Sequence, residues 1–167
     1  MNLIELSDNN KRVANWREFG YGMNSNFTLK NVVPFQGMKT VLFSASCFGE
    51  TVKAEHIVNI QFNKIKYVDE LPKGKERENV KSYEYKGSTY YFIKPTLEDQ
   101  VMLRCSCPDM EYTFTYWNYK NKAAFGGPPK AYKRKTNRKP RNPDHLPGYC
   151  KHCSQFINYL QNEGWMQ

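Results

Sequence analysis

Arg104-Cys105-Ser106-Cys107-Pro108-Asp109 and Pro147-Gly148-Tyr149-Cys150-Lys151-His152 decide how this chain folds. Each segment carries a tight pair of soft donors, two thiols in the first and a thiol with an imidazole in the second. A CxC pair brings two thiolates together on a short length of backbone. A CxH pair does the same with one sulfur and one nitrogen. Zn²⁺ takes four such ligands tetrahedrally, at about 2.3 Å to sulfur and about 2.0 Å to nitrogen. The spacing therefore predicts a closed zinc site made by Cys105, Cys107, Cys150 and His152, joining a strand end to a distant helix start. A disulfide or a cluster of buried free thiols is the competing reading, because cysteine packs well in apolar interiors.

Outward from the two pairs, the flanks have opposite characters. Gln100–Cys105 reads as the strand that delivers the first pair. Lys39–Phe48 and Val52–Tyr67 are rich in β-branched and aromatic residues with partial alternation, and Gly49-Glu50 marks a turn between them. Asp69–Asn79 is charged, contains Pro72 and Gly74, and reads as an exposed loop. Val80–Tyr85 and Ser88–Lys94 flank Lys86-Gly87 as a hairpin. Cys150–Glu163 reads as a helix, because Cys153, Phe156, Ile157 and Leu160 fall at i, i+3, i+4 and i+7, and Gly164 stops it. That stripe assigns Cys153 to packing, although Cys150-x-x-Cys153 is an alternative ligand pair. Cys47, in an apolar run from Val41 to Phe48, reads as a core residue.

The expected fold is α+β: a small β-rich body, a structural zinc clamp joining a strand to a C-terminal helix, and a long extended basic insert. Residues 1–38, rich in Asn and Gly with weak periodicity, read as an N-terminal arm with a short helix around Arg12–Phe19. Residues 39–107 form the β-rich body, 108–149 the insert and 150–167 the zinc-clamped helix, within one domain overall.

The insert concentrates the charge. The chain carries a net +9, and from Tyr112 to Pro143 there are nine basic residues and no acidic one, so the remainder balances at 16 against 16. The nine are Lys120, Lys122, Lys130, Lys133, Arg134, Lys135, Arg138, Lys139 and Arg141. Tyr116, Trp117, Tyr119, Phe125 and Tyr132 are interleaved with them. A merely solvated loop needs no such rings, and the combination predicts docking on nucleic-acid phosphate or an acidic protein groove. Gly126-Gly127-Pro128-Pro129 and the later prolines predict extended or looped chain. No helix-turn-helix or known RNA-binding signature is present.

Other classes are disfavoured. No apolar run approaches the ~20 residues of a membrane span. The start, Met1-Asn2-Leu3-Ile4-Glu5-Leu6, has no basic or apolar signal core, which predicts a reducing compartment where cysteine pairs bind metal rather than oxidise. HExxH is absent, His56 does not fit a deaminase pattern, and no nucleophile–base pair or phosphate-binding glycine loop is evident, so the chain reads as a non-enzyme. A zinc ion closed by four protein ligands has no open position for water, which makes its expected role structural.

CxC followed by CxH resembles the SWIM-type zinc finger, through Cys105, Cys107, Cys150 and His152. The likeness extends through Asn118-Tyr119-Lys120, Phe125-Gly126, Pro129, Tyr132, Arg134-Lys135-Thr136 and Asn142-Pro143, which together are similar to a long-gap variant in structural proteins of tailed bacteriophages. Forty-two residues separate Cys107 from Cys150, well beyond the usual SWIM gap. The resemblance implies His152 rather than Cys153 as fourth ligand. It also implies a virion component, made in the host cytoplasm and placed in the head-to-tail connector, neck, tail or baseplate. Its expected partners are other virion proteins in a multi-copy ring or wedge, with contact to packaged or passing DNA. The expected contact residues are Lys130, Lys133, Arg134, Lys135, Arg138, Lys139, Arg141, Tyr116, Trp117 and Tyr132. The alternative is a SWIM-like zinc module that binds nucleic acid through the same insert.

Overall fold

Alternation along three strands sets the inner face of the main sheet. In the computed structural model, which describes residues 1–13, 27–48, 54–129 and 139–167, His56, Val58, Ile60 and Phe62 are buried on Glu55–Phe62 while their neighbours are more exposed. Val101, Leu103 and Cys105 repeat the pattern on Val101–Cys105. In chain order the strands are β1 (Phe27–Phe35), β2 (Thr40–Phe48), β3 (Glu55–Phe62), β4 (Tyr67–Val68), β5 (Val80–Tyr85), β6 (Ser88–Ile93) and β7 (Val101–Cys105). They form an antiparallel sheet ordered β1-β2-β3-β7 and a second sheet ordered β4-β6-β5. The β3–β7 register pairs Val58 with Cys105, and β2–β3 pairs Cys47 with His56. Period-two geometry therefore brings Cys47, His56 and Cys105 to one end of one sheet face.

Among the described residues, four α-helices accompany the sheets: α1 (Leu3–Val13), α2 (Pro108–Thr113), α3 (Thr115–Lys120) and α4 (Lys151–Asn162). α1 starts with a reciprocal cap. The Glu5 N–H donates to Asn2 Oδ1 at 2.9 Å, and the Asn2 N–H donates to Glu5 Oε2 at 3.0 Å. α4 lies against β3 and β7 and buries Cys153, Phe156, Ile157 and Leu160, the stripe read from its sequence. Gly164 follows at φ +66°, the left-handed stop expected there. The β5–β6 hairpin turns through Lys86 (φ 51°) and Gly87 (φ 78°), the two left-handed residues of a type I′ turn. After α4, Trp165 sits edge-on to Phe43 of the main sheet (5.7 Å) and Tyr83 of the smaller one (5.5 Å), tying the two sheets together.

Two expectations change. Residues 1–38 are not set apart from the body where they are described. Leu3, Leu6 and Val13 are in the core, and β1 is an edge strand of the main sheet. The N-terminus is also pinned beside β7, because the Val101 N–H donates to Met1 O at 2.9 Å and the Leu3 N–H to Leu97 O at 3.0 Å. The helix expected around Arg12–Phe19 falls mostly outside the described residues, as do the turn at Gly49-Glu50 and residues 130–138 of the insert. The insert, expected to be extended, opens with α2 and α3 before the Gly/Pro segment begins.

Candidate metal centre

Cys105 ends β7 and Cys107 is the N-cap of α2, so the strand-to-helix corner delivers the first pair. Pro108 at the first helical position starts α2 with no backbone donor to waste. Cys150 is the N-cap of α4 and His152 lies in its first turn. The donor atoms of Cys105, Cys107, Cys150 and His152 all lie within 4.8 Å of one another, and all four residues are buried. Cys105 Sγ is 3.9 Å from His152 Nδ1. A tetrahedral site with bonds near 2.3 Å has ligand–ligand edges of roughly 3.8 Å, so the cluster is close to the size a first-row metal requires. Thiolates with one imidazole are the donors that favour zinc or another soft metal.

The surroundings suit thiolates. Sγ of Cys107 accepts from the Met110 N–H at 3.4 Å, and Sγ of Cys105 accepts from the Cys107 N–H at 3.4 Å. Hydrogen bonding from Cys105 holds the Cys107 thiol well below its ordinary range, and the same contact raises Cys105. Burial, followed by hydrogen bonding with Cys105, raises Cys150. One thiolate among raised thiols is what repulsion between like charges in a small buried volume produces. A divalent cation removes that repulsion and allows the remaining thiols to ionise. The N-terminal end of α4 adds its positive pole beside Cys150.

All five cysteines are free and buried. Cys153 is part of the core, and its sulfur lies 3.7 Å from that of Cys150, so the second candidate pair is also close to the site. Hydrogen bonding from Cys105 pulls the Cys153 thiol down, but Cys150 and burial outweigh it and the thiol is raised. Cys47 is buried as expected, and burial pushes it to about 11, with the charge of Cys107 adding to the effect. His56, which the sequence did not single out as a neighbour, packs its ring at 4.8 Å and 45° to that of His152. Strand register brings His56 to the Cys105 end of the sheet face, and the packing of α4 on β3 and β7 brings His152 to it.

The return limb of the insert is held by three buried asparagines. Asn118 of α3 exchanges two hydrogen bonds of 2.8 Å with the Gly148 backbone. Asn10 of α1 does the same with Tyr149, at 2.9 and 3.0 Å. Asn142 donates to Thr113 O at 3.0 Å and to Leu146 O at 2.7 Å. Gly148 cannot carry a side chain there, because a Cβ would collide with Asn10 Oδ1 and come within 2.6 Å of the Phe114 ring. The backbone entering Cys150 is thus fixed from both sides before it reaches the cluster.

No protein-family model, curated protein or solved structure matches this chain. Its chemistry is therefore read from its own side chains.

Of the expected contact residues, Tyr116, Lys139 and Arg141 are exposed and Trp117 is half-buried. Trp117 stacks on His145 at 4.1 Å and 17°, joining α3 to the return limb. Arg141 approaches Asp109 at 3.7 Å, an exposed pair of small energetic weight. Lys130, Tyr132, Lys133, Arg134, Lys135 and Arg138 lie outside the described residues. Among the described residues, no helix is long and apolar enough to cross a membrane.

Proposed function

We propose that this chain is a non-enzymatic docking module in which a structural zinc ion clamps the two ends of a basic, aromatic insert and presents it to a partner. The observation that carries this reading is the convergence of four buried donors from the two ends of the insert on one site. Cys105, Cys107, Cys150 and His152 would hold the ion, which would supply cross-linking and charge neutralisation. With four protein ligands no position remains for a reacting water, so the reading excludes hydrolytic chemistry at this centre. Closing a loop costs only about 0.6 kcal/mol more for each doubling of its length, so a clamp tolerates a long insert. Structural zinc sites contribute on the order of 10–16 kcal/mol of apparent binding energy, which here would act as folding energy.

The setting we propose is a tailed-phage particle, as the sequence resemblance implies, with the insert contacting neighbouring subunits in a ring or wedge. The insert's charge and rings suit such a surface, since aromatic and arginine side chains are enriched at protein interfaces. The test has two parts. Metal analysis with native mass spectrometry should find a tightly held zinc and a multimeric state or a captured partner. Mass spectrometry of purified particles should find the chain among their components. A strictly monomeric protein absent from particles would end the virion reading, and a metal-free protein of unchanged stability would end the clamp reading.

A further inference from the structure

Cys150 and Cys153 stand one turn apart at the start of α4, the first as its N-cap and the second three residues on. Their sulfurs are 3.7 Å apart, and both thiols are free and buried. The other two cysteines of the cluster belong to separate elements, Cys105 to the end of β7 and Cys107 to the start of α2. Five soft donors thus meet where a tetrahedral ion uses four. With His152 as the nitrogen ligand, the sulfur of Cys153 is left over, beside a ligand sulfur.

Helical geometry suits this pair to a bond between its sulfurs. Residues three apart on an α-helix have Cα atoms roughly 5 Å apart, inside the ~4.4–6.8 Å that a disulfide spans. The turn is already closed, because the Ser154 N–H donates to Cys150 O at 3.2 Å. Joining the sulfurs therefore asks for side-chain rotation and leaves the helix start in place. A CxxC pair opening a helix is also an arrangement in which dithiols react reversibly. The chain on either side is held without the metal. Asn10 and Asn118 fix Tyr149 and Gly148, and Phe156, Ile157 and Leu160 seat α4 in the core. A site opened by oxidation thus keeps the framework on which it can re-form.

We infer that Cys150 and Cys153 are a reversible disulfide site, at which oxidation by a hydroperoxide withdraws Cys150 from the metal and opens the clamp. The inference rests on the clamp reading, since it gives that clamp a release. The steps are counted from the dithiol. The Cys150 sulfur attacks the terminal peroxide oxygen, so that an S–O bond forms and the O–O bond breaks. The departing oxygen leaves as an alcohol, or as water, with the proton of the Cys150 thiol. The Cys153 sulfur then attacks the sulfenic sulfur, an S–S bond forms, and the S–O bond breaks with loss of water that carries the Cys153 proton. Two electrons pass from the two sulfurs to the peroxide. Of the four ligands, Cys105, Cys107 and His152 remain, and only His152 comes from the far end of the insert. Burial slows the reaction. Yet Ser106 and Lys151, the middle residues of the two ligand pairs, are exposed, so the cluster lies close beneath the surface. Local opening of the first turn of α4 admits a peroxide little larger than water.

The test treats the zinc-loaded full chain with hydrogen peroxide. Zinc release is followed with a chromogenic chelator, and disulfides are mapped by peptide mass spectrometry. Zinc should be released in step with a disulfide between Cys150 and Cys153, and should return after treatment with a dithiol reductant. In Cys153→Ser the Cys150 sulfenic acid lacks its partner and should proceed to the sulfinic acid, which a dithiol does not reverse, so most of the zinc should fail to return. No release under excess peroxide, a disulfide joining any other pair in the parent, or full zinc recovery in Cys153→Ser would each overturn the site. Mapping in the parent decides the pairing even if the variant fails to fold. Zinc content of the untreated protein reports on the clamp separately: a metal-free protein ends the clamp reading, while zinc that stays bound under peroxide ends only the disulfide site.

Discussion

The side-chain amide of Asn118 and the backbone of Gly148 exchange two hydrogen bonds of 2.8 Å, one in each direction. An asparagine amide so used replaces a neighbouring strand, satisfying the donor and acceptor of one residue in a stretch that has no sheet partner. Asn10 repeats the arrangement on Tyr149. The two residues before Cys150 are therefore held by amides from α3 and α1, and the position of one half of the Cys/His cluster depends on side chains far from it in sequence.

Asn118→Ala removes the partners of both the buried N–H and the buried C=O of Gly148. Leaving a buried polar group unsatisfied costs about 1–3 kcal/mol each, so a loss of roughly 2–4 kcal/mol is expected. Asn118→Asp should also be destabilising, because a carboxylate has no proton to donate to Gly148 O. Urea unfolding of the zinc-loaded protein measures both. An alanine variant within about 0.5 kcal/mol of the parent would show that these bonds contribute nothing net.

Gly148→Ala fails for a different reason. Its Cβ would come within 2.6 Å of one Phe114 ring carbon and 2.9 Å of another, and would collide with the Asn10 amide that holds Tyr149. Overpacking of this kind costs about 1–3 kcal/mol, and here it also disturbs a hydrogen-bonded pair. At roughly 2–4 °C per kcal/mol for a chain of this length, the melting temperature should fall by several degrees. Calorimetry that found no decrease would mean that the return limb shifts aside freely.

What the sequence revealed follows from which side chains face inward. β2, β3 and α4 were legible because most of their buried positions are apolar at recurring spacing, and the β5–β6 hairpin because Lys86-Gly87 marks its turn. α1 was not, although Leu3, Leu6, Asn10 and Val13 recur at helical spacing, because the third of these core positions is an asparagine. α2 and α3 present the same difficulty more strongly. Beside Met110 and Phe114 they bury Thr113, Thr115 and Asn118 and expose tyrosines, so apolar and buried positions coincide only in part. The four donors were legible because a short CxC or CxH spacing carries its geometry with it. The His56–His152 contact and the bonds of Asn10, Asn118 and Asn142 to Tyr149, Gly148 and Thr113 link residues 29 to 139 positions apart, and no local pattern encodes them.

Cysteine substitutions separate the two possible fourth ligands. With His152 as ligand, Cys153→Ser should retain about one metal equivalent while His152→Ala loses most of its affinity. The cobalt-substituted protein should then show charge-transfer absorption of three thiolates, unchanged by Cys153→Ser. Loss of metal in Cys153→Ser, with His152→Ala retaining it, would reverse the assignment in favour of the sulfur 3.7 Å from Cys150.

The pH dependence of metal affinity has a definite sign. Hydrogen bonding with Cys107 raises the Cys105 thiol and burial raises Cys150, so the metal-free cluster keeps protons on these sulfurs at neutral pH. A metal binds the deprotonated forms and must displace those protons. Affinity should therefore increase with pH throughout the range in which the thiols remain protonated, and fall on acidification as the remaining thiolate takes up its proton. Because the Cys107 thiol is lowered by its contact with Cys105, it should contribute least to the proton release. Isothermal titration of zinc in two buffers of different ionisation enthalpy counts the released protons directly. Release well above one proton per metal at neutral pH is the expected result. Proton-free binding would mean that the cluster is already ionised before the metal arrives, against the repulsion that three buried thiolates impose on one another.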